Sequence, residues 1–151
     1  MKKLLIVYHS QSGSTERLAY AAAAGAREEE AVELRLLRAG EAGAADLHWC
    51  DALLLATPEN FGFMSGAIKE FLDRTFYAAS AQQLNLACAL IVSAGNDGSG
   101  AVRQLGRILQ GYPMRQVAEP LIVRGAPGPA DLERAADTGR ALAAGLELGI
   151  F

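Results

Sequence analysis

The chain has 151 residues, of which 51% are hydrophobic and 21% are charged. This balance is typical of a globular protein and excludes a disordered one. The length suits one domain covering residues 1–151. The formal net charge of −3 provides no basic excess, so we predict that the chain does not bind nucleic acid.

The N-terminus contains an apolar run at residues 4–8 that His9 interrupts. A secretory signal needs roughly 7–15 apolar residues and a membrane span roughly 18, so this run is too short for either. We therefore predict a cytoplasmic chain with no membrane partner. Cys50 and Cys88 lie in or beside apolar segments, which favours buried thiols over a disulfide. With so few histidines and cysteines we predict no metal site.

Short apolar runs alternate with helical patterns in the first half of the chain. Residues 4–8 and 52–56 are near-continuous apolar runs, as expected of strands covered on both faces of a sheet. The alanine-rich stretch from about residue 14 to residue 27 predicts a helix that packs closely on that sheet. Residues 32–36 alternate between apolar and polar, which predicts a half-buried strand nearer the sheet edge, followed by a short helix.

The second half of the chain continues the alternation. Its predicted elements are a helix capped by Ser65, a strand at residues 87–92, a helix ended by Gly111 and Pro113, a strand at residues 121–123, and a helix after the turn at residues 125–129. Pro120 directly precedes the shortest strand, and because proline has no N–H to donate, we place that strand at the sheet edge.

This alternation of strands and helices predicts an α/β fold, a doubly wound five-stranded parallel sheet with helices on both faces. Five strands indicate the order 2-1-3-4-5 rather than the six-stranded dinucleotide-binding order. In such sheets, ligands bind beyond the carboxyl ends of the strands, where the strand order reverses. Three loops leave those ends, and we expect them to form one crevice.

The first loop, residues 9–15, joins the first strand to the first helix. It supplies hydroxyl groups, a glycine for a tight turn at Gly13, and the free N–H groups of a helix start. Such a helix start binds phosphate through hydrogen bonds and the helix dipole. The loop has no lysine or arginine, which suits a monophosphate held by neutral donors, and it matches neither the Walker nor the dinucleotide-binding motif. An ordinary polar turn is the alternative.

The second and third loops suit a flat heterocycle. Residues 57–66 combine aromatic side chains with backbone polar groups, the mixture that a planar ring with a polar edge requires. Residues 93–100 include three glycines, which let the backbone lie against a ligand. The alternatives are that Phe61 and Phe63 fill gaps in the core and that the third loop is a flexible segment ending at a helix cap, Ser99.

Two segments carry a resemblance to known families. The segment YHSQSGSTERLA resembles the phosphate loop of the flavodoxin superfamily, in which hydroxyl residues and a glycine surround the phosphate of FMN. The segment TPENFGFMSGAIKEFLDRTFY is similar to the stretch of NAD(P)H-dependent FMN and quinone reductases, including the tryptophan-repressor-binding-protein type, that holds the isoalloxazine edge. The matching residues there are Pro58, Gly62, Met64 and Ser65. The resemblance spans about residues 3–110.

The resemblance implies a flavodoxin-like fold and FMN as cofactor. It also implies that Ser10, Ser12 and Thr15 offer side chains to the phosphate, while the backbone of residues 11–15 donates N–H groups. The residues predicted to bind FMN are Ser10, Gln11, Ser12, Gly13, Ser14, Thr15, Pro58, Glu59, Asn60, Phe61, Gly62, Phe63, Ser93, Ala94, Gly95, Asn96 and Gly98.

Two redox functions fit this site. Flavodoxins usually sandwich the flavin ring between aromatic residues of the second and third loops, but this third loop has none, which leaves one ring face open for a substrate. We therefore favour an NAD(P)H-dependent reductase with a quinone-like or flavin acceptor. We name no catalytic residue, because the cofactor performs the chemistry. The resemblance also implies a possible homodimer.

The alternative is a flavodoxin-type electron carrier that serves a redox partner protein. The short chain supports it, because reductases of this kind are often longer. A non-flavin protein of receiver type is disfavoured, since His9-Ser10 and Thr57-Pro58 occupy the positions where receivers have acidic residues.

Overall fold

The computed structural model describes residues 1–112 and 114–151. Pro113, predicted to end a helix, lies outside the described residues. The elements in chain order are β1 (Lys2–Tyr8), α1 (Ser14–Ala26), β2 (Val32–Arg38), α2 (Ala44–Trp49), β3 (Ala52–Asn60), β4 (Phe63–Met64), α3 (Gly66–Ala81), β5 (Ala87–Ala94), α4 (Ser99–Gly111), β6 (Arg115–Gln116), β7 (Leu121–Arg124) and α5 (Pro129–Glu147).

The central sheet is parallel and has five positions, in the order β2-β1-β3-β5 with β6 and β7 sharing the last one. This confirms the predicted flavodoxin-like α/β fold and its 2-1-3-4-5 order, because β5 is the fourth main strand. Only β7 was predicted at the edge. The sequence pattern missed β6 because Arg115 and Gln116 are both exposed and give no apolar signal.

The alternation of side chains along the strands divides the core into two layers. Leu4 and Ile6 face the layer of α1 and α5, whereas Leu5 and Val7 face the layer of α2, α3 and α4. The same alternation continues in β3 and β5. Both faces are apolar because helices cover both, which explains why these strands appear in the sequence as unbroken hydrophobic runs.

Helices α1 and α5 approach each other closely through glycine. A Cβ atom on Gly139 would lie 1.9 Å from the carbonyl oxygen of Ala22, and one on Gly25 would lie 2.0 Å from that of Ala136. Buried alanines of both helices, including Ala23 and Ala143, lie in the same core layer, and their small side chains let the two backbones approach closely. This explains why α1 is so rich in alanine.

The cysteines are inert. Cys50 and Cys88 are buried free thiols, as predicted. Burial raises the pKa of each to about 12, so both stay protonated at neutral pH. In the described part of the chain, no group of three or more His, Cys, Asp and Glu side chains is placed to hold a metal ion. None of the described helices is long and apolar enough to cross a membrane.

We expect Gly139→Ala to destabilise the fold, because the new methyl group would force α1 and α5 apart. Overpacking costs about 1–3 kcal/mol, and this contact with a backbone oxygen at 1.9 Å is at the severe end, whereas alanine favours a helix by about 1 kcal/mol over glycine. The free energy of unfolding should therefore fall by up to about 2 kcal/mol. Urea denaturation measures this. The control is Gly66→Ala, where the added Cβ meets nothing within 4 Å and stability should be unchanged or slightly higher. Equal stability of both variants would contradict the packing assignment.

Candidate functional site

The three loops meet in a crevice of about 290 Å³ at the carboxyl ends of β1, β3 and β5. Its lining residues are Gln11, Ser12, Ser14, Pro58, Glu59, Asn60, Ser93, Ala94, Gly95 and Gly125. All but Gly125 were predicted from the sequence. Gly125 follows β7, and its N–H donates to the carbonyl oxygen of Ala94 at 2.9 Å, which brings a fourth loop to the crevice. The only signal for it was the glycine- and proline-rich turn.

The first loop is shaped to leave the start of α1 open to a ligand. Ser10 Oγ accepts a hydrogen bond from the Gly13 N–H at 3.1 Å, which closes the loop. Gly13 is the N-cap of α1, with a φ of 98° that favours glycine, and no side chain caps this helix. The first N–H groups of α1 are therefore left to an external acceptor. Thr15 is buried in the first turn of the helix.

The second loop is a β-hairpin, not the open loop that the sequence predicted. Strand β3 runs on through Asn60, and β4 pairs with it antiparallel, so that Asn60 lies opposite Phe63. The two turn residues, Phe61 and Gly62, have φ values of 54° and 71°, and positive φ at both positions is typical of two-residue hairpins. The sequence did not predict this extension of β3, because Pro58 lies within it and proline in a strand interior normally argues against a strand.

The base of the hairpin is fastened by Thr57. Its buried hydroxyl accepts a hydrogen bond from the Ser65 N–H at 3.0 Å and donates to the carbonyl oxygen of Pro58 at 2.9 Å. Ser65 Oγ in turn accepts from the Ile68 N–H at 3.3 Å, which confirms Ser65 as the N-cap of α3. The hairpin and the start of α3 are therefore one connected unit.

Glu59 ties the hairpin to α4. Its two carboxylate oxygens accept hydrogen bonds from the N–H groups of Gly98 and Ala101, at 2.9 and 3.0 Å. The negative charge lies at the positive end of the helix dipole, which offsets the charge that Glu59 brings to the crevice. A Cβ atom on Gly100 would lie 2.2 Å from the carbonyl oxygen of Gly62, so the hairpin turn also packs directly on α4. The sequence interpretation assigned Glu59 to the cofactor and did not foresee this capping role.

The side chains of the first and second loops also touch. Asn60 Nδ2 donates to Gln11 Oε1 at 2.9 Å, which joins the hairpin to the phosphate-type loop across the crevice. Phe61, at the hairpin tip, has a completely exposed side chain. Phe63 is half-buried and packs toward the layer of α3 and α4, and it is not among the residues that line the crevice.

The third loop presents its backbone to the crevice. Ala94 and Gly95 line it, whereas Asn96 is exposed to solvent. Gly98 is buried, has a φ of 92°, and is the N-cap of α4, so Ser99 is the first helical residue and not the cap. The glycine N-cap has no side chain to cap the helix; Asp97 accepts a hydrogen bond from the Ser99 N–H at 3.2 Å, and Glu59 from β3 accepts from Gly98 and Ala101.

A second cavity of about 410 Å³ lies on the other side of the first loop. It shares Ser10 with that loop, but Glu16 and Glu41 also line it. Arg38 lines the cavity as well and pairs with Glu16 at 3.7 Å, so Glu41 is the carboxylate that disfavours a phosphate dianion there. His9 lines this cavity too, and its Nδ1 is buried without a hydrogen-bond partner. The crevice beside Gln11, Ser12 and Ser14 is therefore the better place for a phosphate.

The crevice fits FMN in charge and shape. The uncapped start of α1 and the hydroxyls of Ser12 and Ser14 suit the phosphate. The small residues Ala94, Gly95 and Gly125 leave room for a flat ring to approach the backbone. Glu59, the acidic side chain among the described residues that line the crevice, already accepts hydrogen bonds from two N–H groups of α4.

This fold and this crevice define a flavodoxin-like, FMN-binding redox protein. The model of the family "NADPH-dependent FMN reductase" matches residues 1–126. The chain belongs to that family.

Curated relatives include members of both redox classes. The chain is 34% identical to "Flavodoxin" from Aquifex aeolicus over 103 residues, which cover 68% of this chain and 56% of the relative. It is 33% identical to "NAD(P)H dehydrogenase (quinone)" from Acidithiobacillus ferrooxidans, over 50% of this chain and 48% of the relative. The chain therefore spans about half the length of the curated relatives it matches.

Solved structures share the fold over nearly the whole chain. A flavodoxin from the domain Archaea superposes with a TM-score of 0.86 at 21% identity, covering 96% of this chain and 99% of that one. The flavodoxin, WrbA-like protein from Agrobacterium tumefaciens superposes with a TM-score of 0.79 at 21% identity, covering 98% and 99%.

We expect Gly13→Asp to abolish FMN binding. The substitution places a carboxylate where the phosphate dianion would bind and removes the residue that tolerates a φ of 98°. Fluorescence titration of the apoprotein with FMN measures the loss. Gly40→Asp is the matched control, because this exposed glycine lines the second cavity and its added Cβ meets nothing within 4 Å. Stoichiometric FMN in the Gly13 variant would refute the phosphate site.

We expect Glu59→Ala to lower the free energy of unfolding by about 1–3 kcal/mol, because two N–H groups at the start of α4 lose a charged acceptor. Glu59→Gln should fall between this variant and the wild type, since the amide keeps one acceptor oxygen. Urea denaturation of the apoprotein measures both. Glu30→Ala, at an exposed position with no side-chain hydrogen bond in the described part of the chain, serves as the control and should change nothing. Wild-type stability in Glu59→Ala would contradict the capping role.

Proposed function

We propose that this chain is an NAD(P)H-dependent oxidoreductase that binds FMN and passes electrons to a quinone-like or flavin acceptor. The observation that carries the proposal is the third loop, which offers the crevice only Ser93, Ala94 and Gly95 and no aromatic side chain. One face of a flat ring held against Pro58 would remain open to a second aromatic molecule. The family match and the similarity to a protein named NAD(P)H dehydrogenase (quinone) support this proposal.

In this proposal, each wall of the crevice has a separate task. The N–H groups at the start of α1 and the hydroxyls of Ser12 and Ser14 hold the phosphate. The backbone of Ala94 and Gly95 and the ring of Pro58 hold the flat part of the cofactor. FMN, when bound, supplies the capacity to accept electrons from a nicotinamide and to give them to an acceptor. The protein positions both molecules and keeps the ring edge in contact with backbone groups.

Three contacts hold the hairpin in place beside the crevice. Thr57 fastens its base, Glu59 ties it to α4, and Asn60 reaches Gln11. The left-handed backbone conformation of Phe61 is unfavourable by about 1–2 kcal/mol. Backbone strain of this kind is concentrated at functional sites. We infer that the exposed ring of Phe61 contacts the nicotinamide or the acceptor at the mouth of the crevice.

The second candidate is a flavodoxin-type electron carrier. The specific observation in its favour is the 34% identity to a protein named Flavodoxin over 68% of this chain. A carrier would take electrons from a redox partner protein and would not react with a nicotinamide nucleotide. Homodimer formation and cytoplasmic location stay predictions.

The deciding experiment is anaerobic mixing of the FMN-loaded protein with NADPH and, separately, with NADH, followed by the flavin absorbance. We expect the absorbance to bleach rapidly with at least one nucleotide, because the open ring face admits a nicotinamide. Free FMN at the same concentration is the control. Bound flavin that dithionite reduces but neither nucleotide does would overturn the reductase proposal and favour the carrier.

A further inference from the structure

The segment that contains α4 and β7 carries a local excess of positive charge. Residues 96–126 contain four arginines and only two acidic side chains, although the chain as a whole has a net charge of −3. The four are Arg103, Arg107, Arg115 and Arg124, and all of them are exposed. In the part of the chain that the structure describes, none of them forms an ion pair with an acidic side chain. Their charges therefore act on whatever approaches this face from solvent.

The contacts of α4 place two of these arginines next to the hairpin. A Cβ atom on Gly100 would lie 2.2 Å from the carbonyl oxygen of Gly62, so this side of α4 faces the hairpin turn. Residues three and seven positions further along a helix lie on the same side, so Arg103 and Arg107 continue the side that begins at Gly100. Arg107 also lines one surface depression together with Phe63 of β4. The two guanidinium groups thus follow the hairpin along α4.

Arg124 adds a positive charge at the third loop, because it directly precedes Gly125 of the crevice. Hydrogen bonds from the hydroxyl and the backbone N–H of Ser99 are the main cause that lowers the pKa of Asp97, and the charges of Arg124 and Arg103 add to it. Both arginines therefore lie near this carboxylate of the third loop. Two guanidinium groups beside one carboxylate leave a net positive charge at the edge of the crevice.

The hairpin tip adds an apolar anchor to this positive surface. The ring of Phe61 is completely exposed, and no described residue covers it. The next residue, Gly62, packs on the first turn of α4, so the ring lies close to the side of α4 that carries the arginines. Aromatic residues and arginine are enriched in protein–protein interfaces relative to the rest of the surface. An exposed aromatic ring beside several arginines therefore suits a protein partner.

We propose that the surface formed by Phe61, Arg103, Arg107 and Arg124, here called the arginine face, docks a small acidic protein that delivers single electrons to FMN in the crevice. Carboxylates around the redox centre of such a partner would pair with the guanidinium groups, and an apolar side chain among them would meet Phe61. The rest of the chain is acidic and repels this partner, so the partner approaches with its redox centre toward the crevice. A second copy of this chain is disfavoured there, because two arginine faces would repel each other.

The electron transfer balances without a nicotinamide. In each encounter the partner's redox centre loses one electron and the FMN gains it, so two encounters complete the two-electron reduction, and solvent supplies the protons. The partner is assigned to the donor side because the proposed acceptors are small molecules. This inference rests on the FMN site and the acceptor of the proposed function, but it does not need the nicotinamide donor.

The test mixes the FMN-loaded protein anaerobically with reduced plant-type [2Fe–2S] ferredoxin, a small acidic protein, and follows the flavin absorbance. Calorimetric titration with oxidised ferredoxin measures docking without electron transfer. Both are run at ionic strengths of about 0.01 M and about 1 M, where the Debye length is about 30 Å and about 3 Å.

The variants are Arg103→Glu/Arg107→Glu and Phe61→Ala. The matched control is Arg27→Glu/Arg134→Glu, which changes the net charge by the same amount. Both control positions are exposed, and they belong to α5 and the end of α1, which cover the opposite face of the sheet from α4.

We expect ferredoxin to reduce the wild type at low salt about 10- to 100-fold faster than it reduces the double arginine variant, because two attracting charges become repelling ones. High salt should slow the wild type and should not slow this variant. Phe61→Ala should bind ferredoxin about 10-fold more weakly at both ionic strengths, since salt does not screen an apolar contact. The control should behave as the wild type, and both double variants should keep the wild-type FMN content.

The outcomes separate this inference from the proposed function. If ferredoxin reduces the flavin and neither nucleotide does, the arginine face is supported and the nicotinamide donor fails. If a nucleotide reduces the flavin and ferredoxin does not, the inference is refuted and the proposed function stands. Equal rates in the wild type and the double arginine variant, or equal slowing in the control, would also refute the arginine face. A wild-type dimer that the double arginine variant abolishes would assign this face to a second copy and overturn the proposal.

Discussion

The carboxylate of Glu59 holds together the parts of the molecule on which the crevice depends. It sits at the end of β3, where the sheet stops, and accepts two hydrogen bonds from the first turn of α4. Because the N-cap of α4 is a glycine with no capping side chain, these two hydrogen bonds fix where the helix starts relative to the hairpin. The close contact between Gly100 and Gly62 then sets the separation of the two backbones.

The two helix N-termini beside the crevice differ in whether a side chain from another element caps them. The start of α4 is satisfied internally by Glu59, whereas the start of α1 has no side-chain cap and faces the crevice beside Ser12 and Ser14. A helix start that lacks a partner attracts an anion, and one that already holds a carboxylate does not. In the proposed function, this difference directs the phosphate to the end of the crevice beside α1 and leaves the end beside α4 for the neutral ring.

The charge of the surface beside the crevice bears on which electron donor or partner the protein can meet. Many one-electron carriers depend on a strongly acidic surface to meet basic partners. Here the surface next to the crevice on the α4 side has the opposite sign, with Arg103, Arg107 and Arg124 exposed along it. In the proposed function the donor is an anionic nicotinamide nucleotide, and this positive edge is compatible with such a donor.

The sequence by itself determined the fold and predicted which loops meet at the candidate site. Buried strands covered on both faces must be apolar at every position, so β1, β3 and β5 were legible as continuous runs, and parallel topology then brought their following loops together. The glycine and the hydroxyl residues of the first loop also predicted their structure correctly, because a tight turn before an uncapped helix depends on local residues.

Only the tertiary structure decided what the second loop and its neighbours do. The hairpin contains Pro58 and a phenylalanine with positive φ, both contrary to local preference, and it forms because Thr57, Glu59 and Gly100 hold it from outside. Gly125 lines the crevice although the sequence did not predict it, and Phe63 does not line it although the sequence did. Both positions depend on pairing and packing between segments far apart in the chain. The local sequence pattern indicates which backbone conformation a residue prefers. Contacts between distant segments decide whether the residue adopts that conformation in the folded protein.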